Sequence, residues 1–171
     1  MKEYMILMTK YNRNANGEVV RLIEGLSKEE RAAERKSFYG SLYGLLDHLA
    51  SGALVFQTFL KPSYLELSCL SHEFIHHKLE HGKINFPDFS ELKRALITLD
   101  DAYVAIAEGS SDEYLNKPVA LETPYGTMNQ TLVFTLLRYV THCTHHRGQV
   151  SQILDEMGIP NDYSRIAEKY D

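Results

Sequence analysis

Thr141-His142-Cys143-Thr144-His145-His146-Arg147-Gly148-Gln149-Val150 lies inside the longest amphipathic run of the chain. At about 100° per residue, Leu132, Leu136, Tyr139, Cys143, Val150, Leu154 and Met157 fall within about 40° of one line. That pattern predicts a helix from about Met128 to Met157. Gly158 and Pro160 follow it, the order in which helices commonly stop. His146 lies inside the apolar stripe and His142 on its flank, about 40° away, whereas His145 points some 100° further round. His142 and His146 therefore form an i, i+4 pair with β-carbons about 5–6 Å apart. Two imidazoles at that spacing can reach one ion with nitrogens about 2.0–2.1 Å from it. The spacing equally suits two polar boundary residues that hydrogen-bond and bind nothing.

The neighbours on this helix carry weaker signals. A guanidinium as close to the core as Arg147 needs a buried carboxylate, a backbone carbonyl or an anionic ligand, and a structural ion pair is the favoured reading. Gln149 adjoins the His142 face and is placed to position something. Cys143 is accounted for by core packing.

Outward from this helix the chain reads as helical. Tyr4, Leu7, Tyr11, Ala15, Val19, Leu22 and Leu26 step by three or four, and Ser27 with Glu30 matches a capping box. A second helix is predicted from about Phe38 to Leu60, before Pro62, with Phe38, Leu42, Leu45, Leu49, Ala53, Phe56 and Leu60 as its stripe. Its glycines Gly40, Gly44 and Gly52 each cost about 1 kcal/mol relative to alanine, tolerable where another backbone packs close. Tyr64 to Glu80 is predicted helical with a poor pattern. A further helix starts near Ser90, after Asp88, with Leu92, Ala95, Leu96, Leu99, Tyr103 and Ile106 inward, and ends at Gly109. Val119 to Leu121 is a possible short strand. Four long helices and one long polar crossover imply an all-α chain, a four-helix bundle, in one domain spanning residues 1–171.

The chain has eight histidines, seven of them in two clusters. His48, the eighth, sits about 100° from the stripe centre of the second helix, a boundary position. The other cluster offers a competing site. If its segment is helical, Leu65, Cys69, His72, His76 and Leu79 share a face, and Cys69, His72 and His76 could supply three ligands to a structural zinc. His77 and His81 are another i, i+4 pair. A solvated helix with incidental histidines explains the cluster better. His72-Glu73-Phe74-Ile75-His76 matches the H-E-x-x-H string of metalloproteases, but His81 would be turned about 140° away from His76. Tyr39 and Tyr43 are candidate pocket residues.

Composition excludes several classes. With 171 residues, 44% hydrophobic and 24% charged, the chain is globular. A net charge of −5 with no basic patch argues against nucleic acid as a partner. Two cysteines make no disulfide framework. The apolar run Tyr4–Met8 is too short for a signal peptide or a membrane span, so no membrane association and a cytoplasmic location are expected. There is no glycine-rich phosphate loop and no C-x-x-C.

Thr141–Val150 is similar to the H-x-x-x-H-R-G-Q signature of the DinB/YfiT-like family. Tyr11-Asn12-Arg13-Asn14-Ala15-Asn16 resembles that family's first-helix start. Phe38–Leu49 resembles its second helix, whose histidine is the family's first metal ligand. Thr123–Met128 and Asp155–Pro160 also fit, so the resemblance spans nearly the whole chain in order. The histidine-rich stretch Tyr64–Lys83 departs from it. The resemblance implies a four-helix bundle with a long crossover and a divalent ion, nickel or zinc, held by three histidines: His48, His142 and His146. It also implies a homodimer, and a metal-dependent enzyme, a hydrolase or thiol S-transferase, acting on a small-molecule or thiol substrate. A non-catalytic metal-binding stress-response scaffold is the alternative.

Overall fold

The computed structural model describes residues 1–64, 66–78, 80, 84–123 and 126–163. Leu65, Leu79 and His81, which the sequence reading used, lie outside the described residues. The chain is mostly helical. Its four long helices are α1 (Lys2–Glu24), α3 (Leu42–Leu60), α4 (Phe89–Gly109) and α6 (Leu132–Glu156). Two single-turn helices, α2 (Lys28–Ala32) and α5 (Asp112–Asn116), and an antiparallel pair, β1 (Pro118–Thr123) and β2 (Gly126–Thr131), are the other α-helices and strands among the described residues. α1 and α3 each pack against both α4 and α6. The apolar stripes meet in one core that includes Leu45, Leu49, Ala53, Leu96, Leu99, Leu136 and Leu154.

Local chemistry sets the helix starts. Ser27 and Glu30 form the expected capping box at α2. Ser41 accepts from the Gly44 amide at α3, Asp88 from the Glu91 amide at α4, and Thr131 from the Phe134 amide at α6. Three ion pairs, Glu24 with Lys93, Arg13 with Asp101 and Lys10 with Glu108, descend α1 while climbing α4. The two helices therefore run antiparallel. All three pairs are exposed, so each adds only about 0–1 kcal/mol, and they mark the register more than they stabilise it.

Four expectations need correction. α3 begins at Leu42; Phe38 is 92% exposed, and Ser41 is the cap. α6 begins at Leu132, because Met128–Thr131 pair with Leu121–Pro118 in the hairpin and Thr131 then caps the helix. The inward face of α1 is Met5, Thr9, Asn12, Ala15, Asn16, Val19, Val20 and Ile23, while Tyr4 and Leu7 are exposed. Finally, the described part of Tyr64–Glu80 is irregular, with 3-10 turns at Ser68–Leu70 and Glu73–His76. A straight helix would bury one stripe; the bent chain places Tyr64, Leu70, Phe74 and Ile75 all inside.

The two glycines inside α3 have separate reasons. A β-carbon on Gly44 would meet the Tyr39 carbonyl at 2.1 Å, and one on Gly52 would meet the His142 ring at 2.7 Å. Gly44 lets the preceding segment fold back onto α3. Gly52 makes room for an imidazole from α6.

Candidate metal centre

His48 on α3 faces His142 and His146 on α6. His48 Nε2 lies 3.1 Å from the Nε2 of each partner. One nitrogen of each ring lies within 4.8 Å of the others. His146 is buried, and His48 and His142 are half-buried. α6 supplies two of the rings because one helical turn separates them, and Gly52 admits the His142 ring against α3.

The surroundings orient these rings. Gln149 Oε1 accepts from His146 Nδ1 at 2.7 Å, which leaves the His146 Nε2 lone pair facing the cluster. The Tyr39 ring stacks on His48 with centroids 4.0 Å apart, and its hydroxyl is 2.9 Å from His48 Nε2. Burial, then the nearby His146 and His48, push His142 down to about 4. Burial also lowers His146, against the Gln149 hydrogen bond. Both rings are therefore neutral at pH 7, the form that ligates metals.

A divalent cation fits this donor set. Three ring nitrogens bound at about 2.0–2.1 Å to one ion would stand roughly 3 Å apart, close to the 3.1 Å that separates His48 Nε2 from each of the other two. A proton can join only two of the three nitrogens at once, whereas a cation between them engages all three lone pairs. The three histidines could thus hold a metal ion, and they are the one such group of three or more among the described residues.

The competing cluster does not assemble. His72 Nε2 donates to Gln57 Oε1 at 2.7 Å, and Gln57 Nε2 donates to the Leu99 carbonyl at 2.9 Å. His72 therefore ties the crossover to α3 and α4. His76 is exposed, and His77 lies 3.8 Å from Glu91. Glu73, the acid of the H-E-x-x-H string, faces Arg94 at 3.4 Å on the surface. Tyr43, paired with Tyr39 in the sequence reading, donates instead to the Phe86 carbonyl at 2.8 Å.

Arg147 is buried on α6, the helix of His142 and His146, and its partners are two carboxamides and a hydroxyl. Nη1 donates to Asn12 and Asn16 Oδ1, each at 2.6 Å, and Nη2 to Thr144 Oγ1 at 3.1 Å. The Asn16 amide group donates in turn to Asp100, at 3.0 and 3.1 Å, and the Tyr139 hydroxyl donates to Asp100 at 2.6 Å. Burial pushes Asp100 up to about 6, against the Tyr139 and Asn16 hydrogen bonds and the Arg147 charge. Sequence reasoning missed this network. Its signal was an acid, Asp100, at an inward position of the α4 stripe, and two asparagines one turn apart on α1.

Fold and site together define a helical protein carrying a three-histidine cluster suited to a metal ion. The chain belongs to the DinB family, whose family model matches residues 1–165. It is 25% identical over 167 residues to the Protein DinB of Bacillus subtilis (strain 168), covering 95% of this chain and 93% of that one. Its fold is similar to the crystal structure of a DinB-like protein from Bacillus cereus ATCC 10987, with a TM-score of 0.56, 16% identity, and 94% and 95% of the two chains covered. No helix among the described residues is long and apolar enough to cross a membrane.

Proposed function

We propose that this DinB-family chain is a metal-dependent enzyme acting on a small molecule, as a hydrolase or a thiol S-transferase. In this reading His48, His142 and His146 are the ligands of one divalent ion, nickel or zinc. The observation that carries it is the approach of His48 Nε2 to within 3.1 Å of both α6 imidazoles. Three protein ligands leave a coordination position open, so the bound ion would supply Lewis acidity, activating water or holding a thiol as thiolate. The chain's own residues have defined tasks. Burial keeps His142 and His146 neutral, Gln149 fixes the His146 tautomer, and Tyr39 holds the His48 ring and presents a hydroxyl at the cluster.

The same reading takes the four long helices as a four-helix bundle with the crossover between α3 and α4. It takes residues 1–171 as one domain, and the protein as a cytoplasmic homodimer that binds no nucleic acid. A non-catalytic scaffold is the second reading. It is favoured by the way the cluster joins α3 to α6 like a staple. Elemental analysis of the purified protein tests the metal. Assays with thiols and with ester or amide substrates, on loaded and chelated protein, then separate the readings. Activity lost on chelation with the fold intact supports the enzyme. Unfolding on chelation, with no activity in any screen, supports the scaffold.

A further inference from the structure

A cavity of about 810 Å3 lies between residues 34–38, on the segment joining α2 to α3, and the second half of α6. Arg35 and Phe38 stand on one side of it, and His145, Gln149 and Gln152 on the other. It adjoins the triad through three contacts. Gln149 both lines the cavity and holds His146. The His145 ring meets the His146 ring edge-on, with centroids 4.8 Å apart. Phe38 meets Tyr39 edge-on at 5.1 Å, and Tyr39 stacks on His48. The volume falls in the range of small-molecule sites, about 300–1,000 Å3.

Arg35 is the unusual group in this wall. It is half-buried, and its buried Nε has no hydrogen-bond partner among the described residues. Nη2 meets the thioether sulfur of Met157 at 3.3 Å, a weak acceptor. Among the described residues no carboxylate lies within ion-pair distance of it. A guanidinium withdrawn from water without an acceptor is costly, and an anion in the cavity relieves that cost. The segment is also held in place beforehand. Gly40 has φ +75°, its carbonyl accepts from the Arg35 amide, and the Tyr39 carbonyl packs where a Gly44 β-carbon would be.

We propose that Arg35 anchors a carboxylate, and that this cavity binds a small carboxylate-bearing molecule whose other end reaches the His48–His142–His146 cluster. The exposed acids Glu34 and Glu156 offset the charges of Arg35 and Lys36 in the cavity lining, which favours a singly charged carboxylate over a phosphate dianion. The proposal rests on the reading of the triad as a metal site only for the destination of the ligand's far end.

Titration of 15N-labelled protein with butanoate, butyramide and inorganic phosphate tests it, with zinc-loaded and chelated samples followed in parallel. Butanoate is expected to give saturable shifts of the Arg35 Nε–H signal and of the amides of residues 35–38 and 145–149. Butyramide is expected to give none. Arg35→Gln weakens butanoate at least tenfold, Arg35→Lys weakens it less, and both variants keep the wild-type metal content. Saturable butyramide shifts, undiminished butanoate binding by Arg35→Gln, tighter binding of phosphate, or no butanoate binding at all would overturn the proposal. The wild-type comparison of butanoate with butyramide decides the matter even if Arg35→Gln fails to fold. Metal uptake without butanoate binding overturns this proposal alone. Butanoate binding without metal uptake overturns the metal reading and leaves this one standing.

Discussion

Two stretches of this chain are dense in histidine, and they have opposite fates. Around His142–His146 the backbone is a regular α-helix, so a spacing of four residues returns both rings to one face, and α3 supplies His48 opposite them. In His72–His77 the same spacing occurs, but Glu73–His76 is a 3-10 turn. At three residues per turn, positions four apart diverge by about 120°. His72 then becomes a hydrogen-bonded tie to Gln57, while His76 faces solvent. A ligand motif is therefore a statement about backbone periodicity as much as about residue type.

The strongest way to break this contrast is to move metal loss from one region to the other. His48→Ala, His142→Ala and His146→Ala are each expected to remove most of the bound metal. His72→Ala, His76→Ala and His145→Ala are expected to retain it. Elemental analysis of the six purified variants decides it, and equal loss in any of the second group would end the distinction. Next in size is Gly52→Ala, whose new methyl would stand 2.7 Å from the His142 ring. Overpacking of this kind costs about 1–3 kcal/mol, and the displaced ring should also weaken metal binding. Gly17→Ala on α1 is the control, since nothing lies within 4 Å of its added carbon; it should stabilise by about 1 kcal/mol. Denaturant titration measures both, and a silent Gly52→Ala would contradict the packing of His142.

A smaller effect sharpens the role of the other region. His72→Ala should cost about 1–3 kcal/mol by leaving the buried Gln57 carbonyl without its donor, with metal content unchanged. Thermal unfolding alongside elemental analysis reads both quantities. A variant as stable as the wild type would show that the tie is idle.

The smallest prediction concerns acid and the metal-free protein. His142 titrates at about 4 in the folded chain against an ordinary 6.5, so the unfolded chain takes up that proton first. Its contribution to stability is intact above pH 6.5 and is lost as the pH falls toward 4. Asp100 has the opposite sign. Its folded value of about 6 against 3.8 means that the folded chain protonates first, so its contribution grows as the pH falls through the same window. Removing one group should expose the other. Chelated Asp100→Asn is expected to lose stability more steeply than wild type between pH 7 and 4, and chelated His142→Ala less steeply. Parallel slopes in denaturant titrations across that range would refute the assignment. Because the free ring resists protonation, acid release of the metal should also begin below the pKa of an ordinary imidazole.

Much of this was legible in the sequence where the inward face is apolar. The α4 stripe from Leu92 to Ile106 and the α6 pair at His142 and His146 needed only a 3.6-residue period, and both are inward. α1 failed the same test. Its inward side carries Asn12 and Asn16, which are buried because Arg147 and Asp100, distant in sequence, satisfy them. A hydropathy wheel cannot see a partner on another helix, so it turned α1 toward Tyr4 and Leu7. His48 was a boundary residue for the same reason. Its inward role depends on α6, and only the family resemblance supplied it. The Arg35 cavity left no periodic trace, because it is made by an irregular segment folding back onto α3.

The triad also divides in time. His142 and His146 are four residues apart, so α6 forms their half of the cluster as soon as it becomes helical. His48 is 94 and 98 residues from them, and its arrival waits for α3 to dock across the intervening chain. Contacts of such span are among the slow events of folding, since the loop must close before they reward it. A two-imidazole half-site is thus expected early and the three-imidazole site only late. Capture of an ion by all three rings would then wait until the core between α3 and α6 has closed, so metal uptake would mark a chain whose folding is complete.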